Sequence, residues 1–264
     1  MYGNRTGRRL DKGLVYNMPR NVGKIKDDDK TELDYSELSV IIPAAGMGRR
    51  MKSYGPKGLI SLNNGSSVLE RQIRILNRLY PGAEITVICG FEADAVREGV
   101  RKKFPVKIVR NENYEDTNVA RSLFLGLEST VKKHCLVVYG DLVFNTPTLK
   151  DLVGGGSKIV VDSRGNISQE EVGILVSEGT VTNFSYALPE KWCHIAYMAE
   201  KEMRLFENIS ADPEKSRWFG YEIMNEILDQ GGSFESVEPS GMKIAEIDTP
   251  KDLRRALEVA LSTR

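Results

Sequence analysis

Arg49, Arg50, Lys52 and Lys57 crowd one short segment, just after the small residues Ala44, Ala45, Gly46 and Gly48. Small residues clear side-chain bulk from a turn, so backbone N–H groups can approach an anion closely. The cations supply charge where oligophosphate oxygens would lie. This combination fits a polyphosphate ligand. Asp141 follows the apolar run 135–139 and Gly140, so its carboxylate should emerge where a buried strand ends. It could hold a cation there, or cap a helix near Thr148. Glu246 and Asp248 stand two apart in a strand-like stretch, which puts both on one face. Thr249 is the better helix cap, with Pro250 as first helical residue and Asp252 completing a box. That frees Asp248 for another role.

Two familiar phosphate motifs fail. A dinucleotide-binding fingerprint needs a third glycine where Met51 stands, and Pro56 interrupts any helix that follows. No Walker string, G-x-x-x-x-G-K-S/T, occurs.

The elements that must position these groups alternate. An apolar strand over 38–44 leads into the loop, and Leu69, Ile73, Leu76 and Leu79 then sit at helical spacing before Pro81-Gly82. A strand over 85–89 ends at Gly90, and Ala93, Val96 and Val100 mark a second helix. A strand over 106–109, a helix carrying Val119, Leu123, Leu127 and Val131, and a strand over 135–139 complete the run. Uninterrupted apolar strands between helices imply an α/β parallel sheet covered on both faces. Ligands of such sheets bind beyond the strands' carboxyl ends, where the cationic loop and Asp141 both fall. After about Ser157 the pattern changes to antiparallel strands over 158–162, 172–176 and 181–186. Helices follow over 199–208 and 213–229, then a strand near 234–237, a last strand over 243–247 and a helix from Pro250. The expected plan is one domain over 37–264, with a nucleotide half over about 37–156 and an acceptor half over about 157–264.

At 264 residues and 41% hydrophobic, the chain can bury a large core. Lys+Arg and Asp+Glu are both 37, so net charge names no partner. Residues 1–36 lack periodicity, and Arg5, Arg8, Arg9, Lys12, Arg20, Lys24 and Lys26 face Asp11 alone before the acidic run at 27–29. A flexible basic arm is expected there, and without aromatic interleaving nucleic acid is not an expected partner. Cys89, Cys135 and Cys193 have no zinc-like spacing, and Cys89 and Cys135 read as buried small hydrophobes. No signal peptide or membrane span is evident, so a cytoplasmic setting is expected.

The loop resembles the signature of the nucleotidyltransferases that activate sugar 1-phosphates and phosphocholine: a strand, two small residues, Gly-x-Gly-x-Arg, a gap, then Pro-Lys. It maps onto Ala44, Ala45, Gly46, Met47, Gly48, Arg50, Pro56 and Lys57, with Pro43 where many members carry leucine. The resemblance implies a Rossmann-like glycosyltransferase-A-type three-layer sandwich around a central mixed, mainly parallel sheet. It implies that Asp141 and Asp248, with Glu246 beside them, bind Mg²⁺. Mg²⁺ suits one or two carboxylates completed by phosphates and water. It further implies Arg50 on the β- and γ-phosphates of an NTP and Lys57 on the α-phosphate and incoming phosphate. No triad is needed, because a phosphate monoester is mostly a dianion at neutral pH and can attack without a general base.

The segment 113–123, with Tyr114, Asn118, Ser122 and Leu123, resembles the choline-phosphate cytidylyltransferase branch. That resemblance puts CTP and a phosphocholine-like acceptor first and UTP or another NTP with a sugar 1-phosphate second. Asn118 or Ser122 could read a pyrimidine edge and Gly90 meet the base; equally, Asn118 could only cap the third helix. A quaternary ammonium would want aromatics such as Trp192, Tyr197, Trp218, Phe219 and Tyr221. A sugar would want Asn183, Glu200 or Glu222. Two rivals remain: a glycosyltransferase, which would normally show Asp-x-Asp where Asp141-Leu142-Val143 stands, and a non-catalytic nucleotide sensor, which needs no second metal ligand. A homodimer is left open.

Overall fold

The computed structural model describes residues 34–262 apart from 63, 64 and 166, and leaves aside the side chains of 52 and 53. Most of the expected basic arm, residues 1–33, lies outside the described residues.

Strand β1 (Leu38–Ala44) leads through two 3₁₀ turns (Arg49–Tyr54 and Lys57–Leu59) to α1 (Val68–Leu79). Then come β2 (Glu84–Cys89), α2 (Ala93–Arg101), β3 (Lys107–Arg110), α3 (Val119–Glu128) and β4 (His134–Val138). The second half holds β5 (Leu142–Phe144), β6 (Lys158–Asp162), β7 (Val172–Ser177), β8 (Thr180–Tyr186) and β9 (Glu190–Met198). It closes with α4 (Glu200–Ser210), α5 (Gly220–Asp229), β10 (Glu235–Val237), β11 (Ile244–Glu246) and α6 (Leu253–Leu261).

The main sheet runs β3-β2-β1-β4-β9-β6-β10-β8-β7. The first four strands are mutually parallel, and tracing the pairings shows that only β8 and β9 oppose the common direction. Strand alternation splits the core. Val40 and Ile42 face α1 and α2, through Leu69, Ile73, Val96 and Val100. Ile41 faces α3, α4 and α5, through Leu123, Phe206 and Ile223. A third cluster joins Met51, Val143, Ala245, Ile247 and Ala256 beneath the cationic loop. Each fully buried aliphatic side chain contributes about 1.5–3 kcal/mol, so the loop's base is firmly seated.

Four expectations need correction. Strand β9, which no sequence pattern indicated, lies in mid-sheet between β4 and β6. Its register with β6 runs from Ile159↔Ala196 to Val161↔Trp192, so extra residues bulge out around His194, at φ 54°. Glu190, Lys191 and His194 interrupt the apolar run that would have marked a strand buried on both faces. The helix expected over 213–229 is a 3₁₀ turn and α5, parted at Trp218-Phe219. Helix α3 stops at Glu128 and leaves Val131 94% exposed. The final strand, β11, pairs not with the main sheet but with β5, which is only three residues long and was also unforeseen.

Candidate active site

The chain order turns at β1: β2 and β3 lie to one side, β4 to the other. A ligand crevice forms at such a reversal, outside the strand ends. Gly140 N–H donates to Pro43 O at 3.0 Å, tying the two ends together. A Cβ on Gly140 would sit 2.8 Å from Ala44 Cβ, so only glycine permits this approach. Gln72, on α1, donates through Nε2 to Tyr139 O and Leu142 O and fixes the turn that carries Asp141. The short ribbon then does the decisive work. β5 begins just after Asp141, β11 ends just before Asp248, and Ile247 N–H donates to Asp141 O at 3.0 Å. Asp252 accepts from Asp248 N–H, Thr249 N–H and Thr249 Oγ1, so the expected cap at Thr249 forms and leaves Asp248's carboxylate free of that duty.

On the other bank, Gly48 at φ 55° turns the chain into the 3₁₀ segment carrying Arg50. Pro56 precedes the turn that starts with Lys57. Lys57 Nζ lies 3.0 Å from Asp141 Oδ2 and 2.7 Å from Asp248 Oδ1, and Arg50 reaches the same Asp248 oxygen at 3.4 Å. Burial disfavours the charged lysine, but Asp141 and Asp248 outweigh it and hold its pKa above the ordinary value. Burial pushes the Asp141 carboxyl up, against the pull of Lys57. Asp141, Glu246 and Asp248 each offer an oxygen within 4.8 Å of the others. Asp141 Oδ1 is buried without a hydrogen-bond partner among the described residues. Three hard oxygens with one orphan among them fit a divalent ion.

Glu246 also has protein partners, His194 Nδ1 at 3.5 Å and Lys191 Nζ at 3.8 Å. Against the cost of burial, His194, Lys191 and Lys57 bring its pKa down to about 2. His194 stacks on Tyr139 at 4.8 Å and meets Trp192 edge-on at 4.9 Å.

Three clefts open around Asn118. The first, about 370 Å³, is lined by Ala44, Gly46, Gly48, Arg50, Lys57, Asp141 and Asp248 among others. The second, about 220 Å³, brings Ala45, Asn111, Tyr114, Thr117 and Ser122 together. The third, about 240 Å³, holds Tyr139, Glu170, Glu171, Tyr186, Trp192, His194, Phe219, Tyr221 and Glu246. Asn118 lines all three and also caps α3, its Oδ1 accepting from Val119 N–H at 2.9 Å. Gly90 lies beneath the second cleft, where a Cβ would strike Tyr114 Cβ at 2.6 Å and Ala45 O at 2.8 Å. Met47 lines none of the three clefts; its sulfur meets Arg49 at 3.9 Å.

Of the aromatics expected around an acceptor, Trp192, Phe219 and Tyr221 line the third cleft. Tyr197 does not: it is fully buried, with its hydroxyl 3.3 Å from His134 Nδ1. Trp218 lies instead under Lys215, 4.6 Å from Nζ to ring centre. Asn183 sits in β8, Glu200 pairs with Arg204, and Glu222 caps α5 through Phe219 N–H. None of these three lines the clefts. Sequence reasoning missed His194, Asn111 and Gln72 as parts of the site, whereas Tyr114 belongs to the segment it singled out. A short polar run directly after a strand end was the available signal for Asn111. None marked His194.

A family model described as the MobA-like NTP transferase domain matches residues 40–179. Among curated proteins, the bifunctional protein GlmU of Synechococcus sp. (strain JA-2-3B'a(2-13)) is 36% identical over 118 residues, covering 44% of this chain and 18% of the relative. The bifunctional IPC transferase and DIPP synthase of Rubrobacter xylanophilus is 23% identical over 229 residues, covering 85% of this chain and 52% of the relative. The chain thus spans about half or less of these relatives' length. Among solved structures, CTP:phosphocholine cytidylyltransferase from Streptococcus pneumoniae superposes with TM-score 0.68 at 20% identity, covering 84% of this chain and 99% of that one. The inositol-1-phosphate CTP transferase from T. maritima gives 0.69 at 19%, covering 86% and 97%. These likenesses show the fold, the Rossmann-like glycosyltransferase-A type. With a loop, a strand-end aspartate and a family match over more than half its length, this chain belongs to the MobA-like NTP transferase domain family.

Proposed function

We propose that the protein transfers a nucleoside monophosphate, CMP foremost, from an NTP to a phosphorylated small molecule such as phosphocholine, and releases pyrophosphate. The carrying observation is Lys57 bridging Asp141 and Asp248 beneath the glycine-lined cleft. Cations and carboxylates packed this closely beside an open, glycine-lined cleft suit a ligand of charged phosphates. Asp141 and Asp248, with Glu246 beside them, hold Mg²⁺ in this reading. When bound, Mg²⁺ supplies neutralisation of the triphosphate's charge. Arg50 binds the β- and γ-phosphates. Lys57 meets the α-phosphate and the attacking phosphate. Backbone around Ala44, Ala45, Gly46, Met47 and Gly48 lets the triphosphate approach, so catalysis is mostly alignment and charge compensation.

A small polar cleft supports a pyrimidine. Ser122 Oγ accepts from Asn111 Nδ2 at 3.2 Å, and its own proton, without an acceptor among the described residues, can be offered to a base carbonyl. Asn118 stands at the junction, and Gly90 lets Tyr114 close over the base. The third cleft supports a cationic acceptor, since aromatic faces and Glu170 and Glu171 meet there. The same carboxylates could accept from sugar hydroxyls, which keeps a sugar 1-phosphate as the second reading. A cytoplasmic setting fits the buried, unpaired cysteines. No helix among the described residues is long and apolar enough to cross a membrane.

Pyrophosphate release across CTP, UTP, dTTP and GTP, each with phosphocholine and glucose 1-phosphate, tests the reading. CTP with phosphocholine should lead, and Asp141→Asn and Asp248→Asn should each lose at least ~10²-fold in rate. Release with no pair, or undiminished in both variants, refutes it.

A further inference from the structure

We infer that Lys57 is the resident counter-ion of the carboxylate pair and passes from carboxylate to phosphate when ion and nucleotide load, which makes the two ligands bind cooperatively. The inference rests on the reading of Asp141 and Asp248 as ligands of the ion. Three observations lead to it.

First, Lys57 Nζ occupies the ground between the carboxylates, at 3.0 Å from one and 2.7 Å from the other. An ammonium and a dication compete for those oxygens, because both draw on the same carboxylate charge and repel each other. Second, Lys57 borders open space in the right direction. Its Cγ and Cε lie 3.4 and 3.9 Å from where a Cβ on Gly48 would stand, so the stem runs along the loop glycine that borders the open cleft. Rotation about the stem carries Nζ from the carboxylates toward the space a phosphate would fill. A side chain at Gly48 would bar that path.

Third, the remaining charges are already committed. Arg50 leans on Asp248 at 3.4 Å, while His194 and Lys191 flank Glu246. Without ligands the site's carboxylates are therefore neutralised by the protein's own cations. An ion arriving alone must expel Lys57 into a cleft that offers no anion. A polyphosphate arriving alone meets a lysine tied to two aspartates. Arriving together, each satisfies what the other displaces, and the coupling is necessarily reciprocal.

Two measurements test this without catalysis. Acylation of the Lys57 amine, followed by mass spectrometry, should be low in metal-free wild-type protein and rise severalfold as Mn²⁺ is added. Mn²⁺ affinity, read by electron paramagnetic resonance without nucleotide, should be about tenfold tighter in Lys57→Met, within the ordinary range of site coupling. Acylation that does not change when Mn²⁺ is bound overturns the inference, as does equal or weaker Mn²⁺ binding by Lys57→Met. Mn²⁺ binding that is lost in Asp248→Asn, with acylation still unchanged in wild type, removes the inference and leaves the metal reading standing. Failure of both wild type and Lys57→Met to bind Mn²⁺ removes both.

Discussion

His194 lies flat on Tyr139, ring centroids 4.8 Å apart and planes 14° from parallel, while its own backbone is left-handed at φ 54°. A Cβ in that region costs roughly 1 kcal/mol or more, and the stack returns about 0.5–1.5. His194→Ala keeps the strain and loses the stack; His194→Gly loses both. The glycine variant should therefore melt higher than the alanine variant, by about 1 kcal/mol. Both should raise KM for the acceptor and leave nucleotide binding nearly unchanged. A calorimetric scan that ranks alanine above glycine would mean that no strain is held at the bulge.

Gly46 and Gly90 should respond oppositely to one added methyl. Nothing lies within 4 Å of a Cβ at Gly46, which borders the first cleft, whereas a Cβ at Gly90 meets Tyr114 and Ala45 below 3 Å. Gly46→Ala should keep its melting temperature but weaken NTP binding, since the methyl enters ligand space. Gly90→Ala should lose about 1–3 kcal/mol of stability through overpacking. Thermal melts beside calorimetric NTP titrations separate the two.

Lys57 and Arg50 should separate in kinetics. On the proposed roles, Lys57 meets charge redistributed at the α-phosphate, so its contribution falls mostly in the transition state. Lys57→Ala should lower kcat more than NTP affinity. Arg50 meets pyrophosphate charge that is present in ground and transition states alike, so Arg50→Ala should weaken both. Titration with a non-hydrolysable NTP beside steady-state kinetics decides. If Lys57→Ala loses binding in full proportion to rate, its placement on the reacting phosphate is wrong.

Buried thiols and phenols set the alkaline limit. Burial pushes the Cys193 thiol up to about 12 and raises Cys135, Tyr80 and Tyr139 too. Their unfolded counterparts ionise nearer 9.0 and 10.0. A raised folded pKa leaves stability intact below the unfolded value and erodes it as pH climbs beyond, because only the unfolded chain then releases protons. Urea midpoints should hold up to about pH 8 and decline from about pH 9 upward. A thiol reagent at pH 8 should find no reactive cysteine in the native protein. A flat midpoint from pH 8 to 10.5 contradicts this.

The first half of the chain was legible because β1, β2 and β4 are buried on both faces. Such strands read as unbroken apolar runs, and their order placed the loop and Asp141 at the sheet rim. The cap at Thr249 was equally plain, since its chemistry is local. β9 was not, because it opens on Glu190-Lys191, of which Lys191 serves Glu171, Glu246 and the third cleft, and then bulges at His194. β5 gains its strand character only from β11, and three residues carry no period of their own. Tyr197 and Trp192 share a strand, yet being five residues apart they face opposite sides of the sheet, one in the core and the other at a cleft wall. Aromatic composition alone could not sort them.

The ribbon of β5 and β11 also sets a clock on the site. Lys57 and its partner Asp248 are 191 residues apart, so at ribosomal speeds roughly 10–40 s separate their synthesis. For the part of that interval after residue 141 is made, 84 residues beyond Lys57, the lysine has one carboxylate to hold instead of two. The second arrives only when residues 244–248 zip onto β5. On the proposed roles, a chain arrested short of that point carries the cationic loop and Asp141 but lacks the second carboxylate of the ion site. The pair of carboxylates is, on those roles, completed in one late event rather than growing with the chain.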